Sequence, residues 1–397
     1  MIHKVRIENF KSIADLTLNL RRLTVLIGSN GSGKSNILEA LSFASAASQN
    51  KLDNEFLSSR GIRVTESRFM YSAFQNLPLP RKFNHNTSQE GNGANIEQKT
   101  DPARTIRISS EGDNSRNYDC ELFADESGSF PKWEQLLDVN QPISKFMTRV
   151  REEFFNEIES SPEIADKFAT AFRSYFYGTF SDFLIYSPEN SALRTFQSEG
   201  QILPLGIRGE GLFAHLKGLN ATHKDRLEII REKLKLIDWF ESFSIPGDLS
   251  PGERTIKIQD RFIKEGDLID QRSANEGFLF LLFYLTLFTS PETPAFFAID
   301  NIDSSLNPKL CIALLRQITA LAKEFDKQVI LTTHNPAVLD GLDLHDEEQQ
   351  LLVVDRNKDG HTRVHRVEPP KPSAGELPVS LSEAFMRGYI GGLPKNF

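Results

Sequence analysis

Apolar and polar residues alternate from the start of the chain. Val5, Ile7 and Phe10, then Leu16, Leu18 and Leu20, mark two strands, and the apolar run Leu23 to Ile27 reads as a third, buried one. Three glycines follow, Gly28, Gly31 and Gly33, and the period then changes. Ile37, Leu38 and Leu41 form the buried stripe of an amphipathic helix that starts near Ser35. Thr105 to Ile108 and Tyr118 to Phe123 predict a hairpin. Trp133 to about Phe183 turns helical, with Phe146, Phe154, Phe168 and Phe172 at spacings that suit a helix core, base stacking being the other use of such a stripe. Arg226 to Phe240 predicts another helix. Ala295 to Ile299 and Val329 to Thr333 are buried-strand runs flanking an amphipathic helix, Pro308 to Phe325, which completes a βαβ unit. Leu351 to Asp355 and Arg363 to Val367 close the pattern as a hairpin. The pattern predicts an α/β fold. Residues 78–104 are polar and read as a long exposed loop. Pro369, Pro370 and Pro372 form a linker to an apolar, glycine-hinged tail that either packs onto the rest or docks a partner.

Chemistry concentrates first at the glycine turn. Gly28-Ser29-Asn30-Gly31-Ser32-Gly33-Lys34-Ser35-Asn36 fits G-x-x-x-x-G-K-[ST] between a strand and a helix. Glycines let backbone N–H groups curl around phosphate oxygens, and the helix N-terminus adds its positive dipole end. Lys34 is placed to reach the β- and γ-phosphates of ATP, and the Ser35 hydroxyl to ligate Mg²⁺. A second glycine-rich stretch, Pro204 to Leu216, has no preceding strand and no Gly-Lys-Ser, so it reads as a turn and helix start.

The segment VRIENFKSIADLTLNL followed by LTVLIGSNGSGKSNILEAL resembles the N-terminal head segment of ABC-type ATPases of the RecF/SMC/OLD-like branch. The resemblance implies a P-loop NTPase fold, an ABC-type head with an inserted helical lobe, and further site residues. Phe-Phe-Ala-Ile-Asp300 has the Walker B arrangement, with Asp300 holding Mg²⁺ through water. Asp300 to Pro308 matches the acidic motif and the D-loop, which implies that Ser304, Ser305 and Leu306 lie at a dimer interface. Asn301 stands where the family's catalytic glutamate is expected, and an amide is not a base; loss of general-base help costs roughly 10²–10⁴-fold in rate. Asp303 is acidic and close in sequence. His334, in VILTTHNPAVLD, matches the switch histidine that contacts the γ-phosphate.

The resemblance also demands a signature segment at a helix N-terminus. Ser250 to Thr255 has the familiar letters but precedes a strand-like alternation about fifty residues before the acidic motif. Ser273-Ala-Asn275-Glu276-Gly277 leads directly into the apolar run Phe278 to Phe288, about twenty-three residues before Asp300, and is the better candidate. Asn275 and Gly277 would then touch the nucleotide of the opposite subunit. Gln75 is the best candidate for the family's Q-loop ligand of Mg²⁺. The division expected is an N-terminal half-head at 1–125, a helical lobe at 126–290, a C-terminal half-head at 291–368 and a tail at 369–397.

Bulk properties narrow the setting. The chain has 397 residues, 39% hydrophobic and 25% charged, as in a soluble globular protein. No apolar run is long enough for a membrane span, and the N-terminus lacks the apolar core of a signal peptide. The 2 cysteines form no motif and suit a reducing cytoplasm. A net charge of −8 argues against a globally basic nucleic-acid binder without removing a local basic groove, so nucleic acid is possible but not evident. The expectation is an ATPase with cofactors ATP and Mg²⁺, dimerising head to tail as a homodimer and hydrolysing slowly. Its expected role is sensor and scaffold in a prokaryotic anti-phage defence complex, with a separate nuclease or toxin effector. The alternatives are a RecF-like DNA-repair ATPase and a nucleotide sensor without turnover.

Overall fold

The alternating N-terminal residues form the antiparallel hairpin β1 (Ile2–Phe10) and β2 (Ile13–Asn19). The computed structural model describes residues 1–72, 105–113, 117–125, 132–136, 181–196, 201–245, 256–264, 268–369 and 379–393. After the hairpin come β3 (Leu23–Ile27), α1 (Lys34–Ser48) and the short helices α2 (Asn54–Ser59) and α3 (Ser67–Met70). The strands β4 (Ile106–Gly112), β5 (Tyr118–Asp125) and β6 (Lys132–Leu136) extend the first hairpin into a five-stranded sheet of order β2-β1-β4-β5-β6.

Beyond β7 (Ile185–Tyr186) lie α4 (Leu212–Thr222), α5 (Lys224–Leu234) and a small sheet of β8 (Phe240–Ser244), β9 (Lys257–Asp260) and β10 (Ile269–Asp270). Then follow α6 (Glu276–Thr289), β11 (Phe296–Ile299), α7 (Pro308–Glu324), β12 (Gln328–Thr333), the hairpin β13 (Gln349–Arg356) and β14 (Thr362–Arg366), and α8 (Leu381–Met386).

The central sheet runs β14-β13-β3-β12-β11-β7 and is parallel except at β14. Ile27 of β3 is in register with Thr333 of β12 and with Val353 of β13. The loops after β3, β11 and β12 therefore leave from one carboxyl-end edge, where open α/β sheets bind ligands.

Strand residues alternate between two cores. Val25, Ile27, Phe297, Ile299 and Leu331 face α4 to α7; Leu26, Phe296, Ala298, Ile330 and Val354 face α1 and the first sheet. Helix α1 lies between two sheets, so it is buried on nearly every side, Ser42, Ser45 and Ser48 included, and not only along the stripe of Ile37, Leu38 and Leu41. Small Ala and Ser side chains are what such a two-sided position admits. Helix α6 is apolar all round and buried throughout from Gly277.

Several expectations change. Trp133, expected to open a helix, lies in strand β6, where its ring packs edge-on against Phe43 of α1. The helix expected to reach Phe240 ends at Leu234, and Phe240 begins a strand. The stretch 126–290, expected as a helical lobe, also holds β6 of the first sheet, β7 of the central sheet and the sheet β8–β10. Gln75, the polar stretch 78–104, the signature-like Ser250 to Thr255 and most of the phenylalanine stripe lie outside the described residues. No helix among the described residues is long and apolar enough to cross a membrane.

Candidate functional site

Two glycines fix the turn after β3. A Cβ on Gly28 would sit 2.1 Å from the Val354 carbonyl oxygen, so the loop lies hard against β13. Gly33, at φ 114, occupies a left-handed conformation, and a Cβ there would meet Thr362 Oγ1 at 2.1 Å. Thr362, the first residue of β14, donates to Ser32 O at 3.1 Å and shares a 2.7 Å bond with Ser12 Oγ from the β1–β2 turn. Asn36 Nδ2 donates to the same Ser12 oxygen at 2.6 Å. Ser12 and Thr362 thus brace the loop from behind, over contacts that span more than three hundred positions and leave no local trace in the sequence.

Lys34 is 5% exposed, and its Nζ donates to Gly28 O at 2.8 Å and Ser29 O at 3.1 Å. Burial pushes its ammonium down to about 8, against the opposing pull of Asp300 and Asp303. Ser32 Oγ is buried with no hydrogen-bond partner. A buried hydroxyl without a partner and a lysine satisfied by its own loop's carbonyls form a cradle that fits a phosphate chain.

Asp300, at the end of β11, accepts from Ser35 Oγ at 3.4 Å and, on its other oxygen, from Thr332 Oγ1. Its backbone N–H donates to Tyr186 O at 2.8 Å, which ties the strand end to β7. One hydroxyl and one carboxylate suit Mg²⁺, which keeps most of its shell for water and phosphate oxygens. Asn301 has φ 56, and its backbone N–H donates to Thr332 Oγ1 at 2.9 Å. Asp303 accepts from Thr333 Oγ1 at 2.6 Å. His334 follows β12 and is exposed; desolvation lowers the pKa of its imidazole, nearby Lys34 lowers it further, and Asp303 and Asp300 oppose both. Lys34, Ser35, Asp300 and His334, scattered through the sequence, therefore share one sheet edge.

Asn275 and Gly277 are placed differently. Asn275 caps α6, its side-chain oxygen accepting from Phe278 N at 3.4 Å. A Cβ on Gly277 would lie 3.4 Å from Ser305 O and 3.7 Å from Leu306, so the start of α6 packs on the loop after Asp300. Ser305, at φ 61, donates its hydroxyl to Glu276 Oε1. Ser305 is exposed, whereas Leu306, expected at an interface, is 8% exposed and belongs to the chain's own core.

Sequence reasoning missed Arg194. Its guanidinium donates to Gln271 O at 3.2 Å, Arg272 O at 2.5 Å and Ala274 O at 2.9 Å, all in the turn just before α6. It also missed the cations Lys11 and Arg63, which pair with the buried Glu39 of α1 beside Asn36.

A P-loop strand–turn–helix, an acidic strand end and a histidine on the neighbouring strand define an ABC-type ATPase head. Two family models match: "AAA ATPase domain" over residues 1–198 and "AAA domain, putative AbiEii toxin, Type IV TA system" over residues 216–340. The chain belongs to the ABC/SMC-like P-loop ATPases. It is 31% identical over 131 residues to the chromosome partition protein Smc of Synechocystis, a match that covers 30% of this chain and 11% of that protein. Among solved structures, an SMC head bound to the C-winged helix domain of ScpA superposes with a TM-score of 0.53 at 15% identity, covering 92% of this chain and 97% of that one. The SMC head domain from Thermotoga maritima matches at 16% identity and a TM-score of 0.44, over 93% and 99% of the two chains.

Proposed function

We propose that the chain binds ATP with Mg²⁺ at the Lys34–Ser35–Asp300 edge and dimerises head to tail around it, with Asn275 and Gly277 of a second copy closing each site. The observation that carries this reading is the division of the site. Lys34, Ser35, Asp300 and His334 meet at one sheet edge, while Asn275 and Gly277 sit on a separate helix start braced by Ser305. In this reading the backbone N–H groups from Gly31 to Ser35 receive the phosphates. Lys34 Nζ exchanges the carbonyls of Gly28 and Ser29 for phosphate oxygens, and His334 faces the γ-phosphate. Ser35 and Asp300 would hold Mg²⁺, which when bound neutralises charge on the β- and γ-phosphates. Asn275 keeps its amide N–H₂ as a donor while its oxygen caps α6.

Hydrolysis is slow in this reading, because Asn301 offers an amide where a general base is needed. Asn301→Glu is expected to raise turnover by about 10²–10⁴-fold; equal rates in the two proteins would refute the assignment. Light scattering is expected to show dimers with ATP, and a wild-type chain that stays monomeric with saturating ATP sinks the clamp. A slow clamp suits a sensor and scaffold that holds a separate nuclease or toxin effector in an anti-phage system. The toxin-system description of the second matching family supports that setting, and the solved SMC head that carries a ScpA domain supports a partner-bearing head. Co-expression with neighbouring gene products is expected to give a stable complex. Duplex-DNA binding with a steep salt dependence, and no such complex, would move the role to RecF-like repair.

A further inference from the structure

The turn that ends in Asn275 is closed locally by Ser273 N, which donates to Asp270 O and Oδ1, and by Ala274 N, which donates to Gln271 O, and its remaining support comes from outside. It leaves β10, and its carbonyls at Gln271, Arg272 and Ala274 point to one side chain, Arg194. Arg194 is not part of the nucleotide edge. Its Nε donates to Asn190 Oδ1 at 2.9 Å, and its own carbonyl accepts from Gln271 Nε2 at 3.4 Å. Gln271, buried, in turn accepts from Ile256 N at 3.0 Å, so the pairing is locked from both ends. The segment that carries Arg194 begins at β7, which is hydrogen-bonded to β11 beside Asp300, and the ring of Tyr186 packs against Phe283 of α6 and Phe297 of β11. Nine residues of chain therefore run from the Asp300 strand end to the turn before α6.

From this geometry we infer that Arg194 is a positioning residue: it sets the turn that presents Asn275 and Gly277, and so fixes the surface a head offers to the nucleotide bound by its partner. The inference rests on the reading that the site closes between two copies. A planar guanidinium holds its N–H donors in a rigid fork, so Arg194 sets the three carbonyls and Asn190 Oδ1 in one fixed geometry, where the donors of a flexible ammonium are free to turn. Arg194 acts on the second copy's nucleotide and leaves the first copy's own phosphate loop alone. The two roles separate genetically.

The test mixes two variants of the full chain, each carrying one partner of a FRET pair. Arg194→Ala keeps its phosphate loop, and Lys34→Ala keeps its signature turn. Arg194→Ala is expected to bind a fluorescent ATP analogue as the wild type does, while its ATP-dependent homodimer weakens about ten- to a hundredfold. Lys34→Ala alone is expected not to dimerise with ATP. Mixed, the two variants are expected to restore FRET, because one composite site combines the intact loop of the first with the intact turn of the second. An Asn275→Ala and Lys34→Ala pair is the control. Restoration in the control but not with Arg194→Ala overturns the role of Arg194 alone. Failure of both pairs overturns the two-copy site and this inference with it. Arg194→Lys keeps the charge and serves if the alanine form is insoluble; wild-type dimerisation by Arg194→Lys would also overturn the bridging role.

Discussion

Thr332 satisfies two groups with one hydroxyl, donating to Asp300 and accepting from the backbone N–H of Asn301. Its side chain is fully buried at the end of β12, while Asp300 and Asn301 are half-buried at the sheet edge. Thr332→Val keeps the shape and removes the oxygen. It is expected to cost about 1 kcal/mol in stability for the lost hydrogen bonds at half-buried partners, and to weaken Mg²⁺-dependent nucleotide binding because Asp300 is no longer held. Calorimetric titration of the nucleotide with Mg²⁺ and with EDTA checks this; an unchanged Mg²⁺ dependence would show that Asp300 is placed without Thr332. The contrast with Lys34 shows what a sequence can reveal at this scale. The Gly28 to Ser35 turn is legible because its glycines, lysine and serine answer a need within eight consecutive residues. Thr332 meets Asp300 across 32 positions, and Ser12 meets Thr362 across 350. A threonine in a buried strand looks like any other β-former until its partner is in place.

Lys327 shows how an element is finished by a distant residue. Helix α6 is apolar all round and ends at Thr289, and the carbonyls of its C-cap and of the loop that follows turn inward and need a donor. Lys327, 4% exposed, donates to Ser290 O at 3.0 Å, Thr293 O at 2.8 Å and Pro294 O at 3.3 Å. Burial, with Arg226 adding to it, pushes this ammonium from 10.5 down to about 8. The folded pKa lies below the unfolded one, so between pH 8 and 10.5 the unfolded chain binds more protons and stability from this group rises with pH. Below pH 8 both states are charged and the burial cost is fully present. The rise amounts to about 3 kcal/mol across that window. Lys327→Met strands the carbonyls at any pH and removes the rise. Urea unfolding at pH 7.5 and pH 10 is expected to show the variant less stable at both, by a wider margin at pH 10; a narrowing margin would reverse the assignment. Element identity was otherwise well marked by periodicity, as with Pro308 to Glu324, found helical almost as read. It failed where a helical spacing ran on into a strand, at Phe240, whose burial against Phe243 and Phe278 needs only an apolar ring at that position, which marks neither element.

The molecule is organised by two cores on either face of one parallel sheet, and its C-terminal segment is an addition to one of them. Helix α8 docks through Ser382, which donates from its backbone N–H at 2.9 Å and its hydroxyl at 2.6 Å to Asp340, in the short turn that follows His334. Phe385 is 6% exposed and joins the core around Val353. At Gly392, φ 83, a Cβ would lie 2.8 Å from Val353 and 3.6 Å from Cα of Gly28, so the segment reaches the phosphate loop. The sequence left open whether these residues pack on the head or dock elsewhere, because short apolar positions on glycine hinges fit both; the structure packs them on the head. The contacts that hold them are peripheral: a capped helix of 6 residues bonded to Asp340, the buried Phe385, the partly buried Leu381 and Ile390, and a 3.2 Å bond between His365 and Ile390 O. Local opening follows the number of buried contacts. Phe385→Ala is therefore expected to release this segment while the two cores stay folded. Limited proteolysis read by mass spectrometry should show faster cutting within residues 379–393, with a melting temperature within about 1 °C of the wild type, the shift of a change of about 1 kcal/mol or less in a chain this size. A melting temperature that falls in step with cutting would mean that the segment belongs to the cooperative core, and that Gly392 helps to set the phosphate loop.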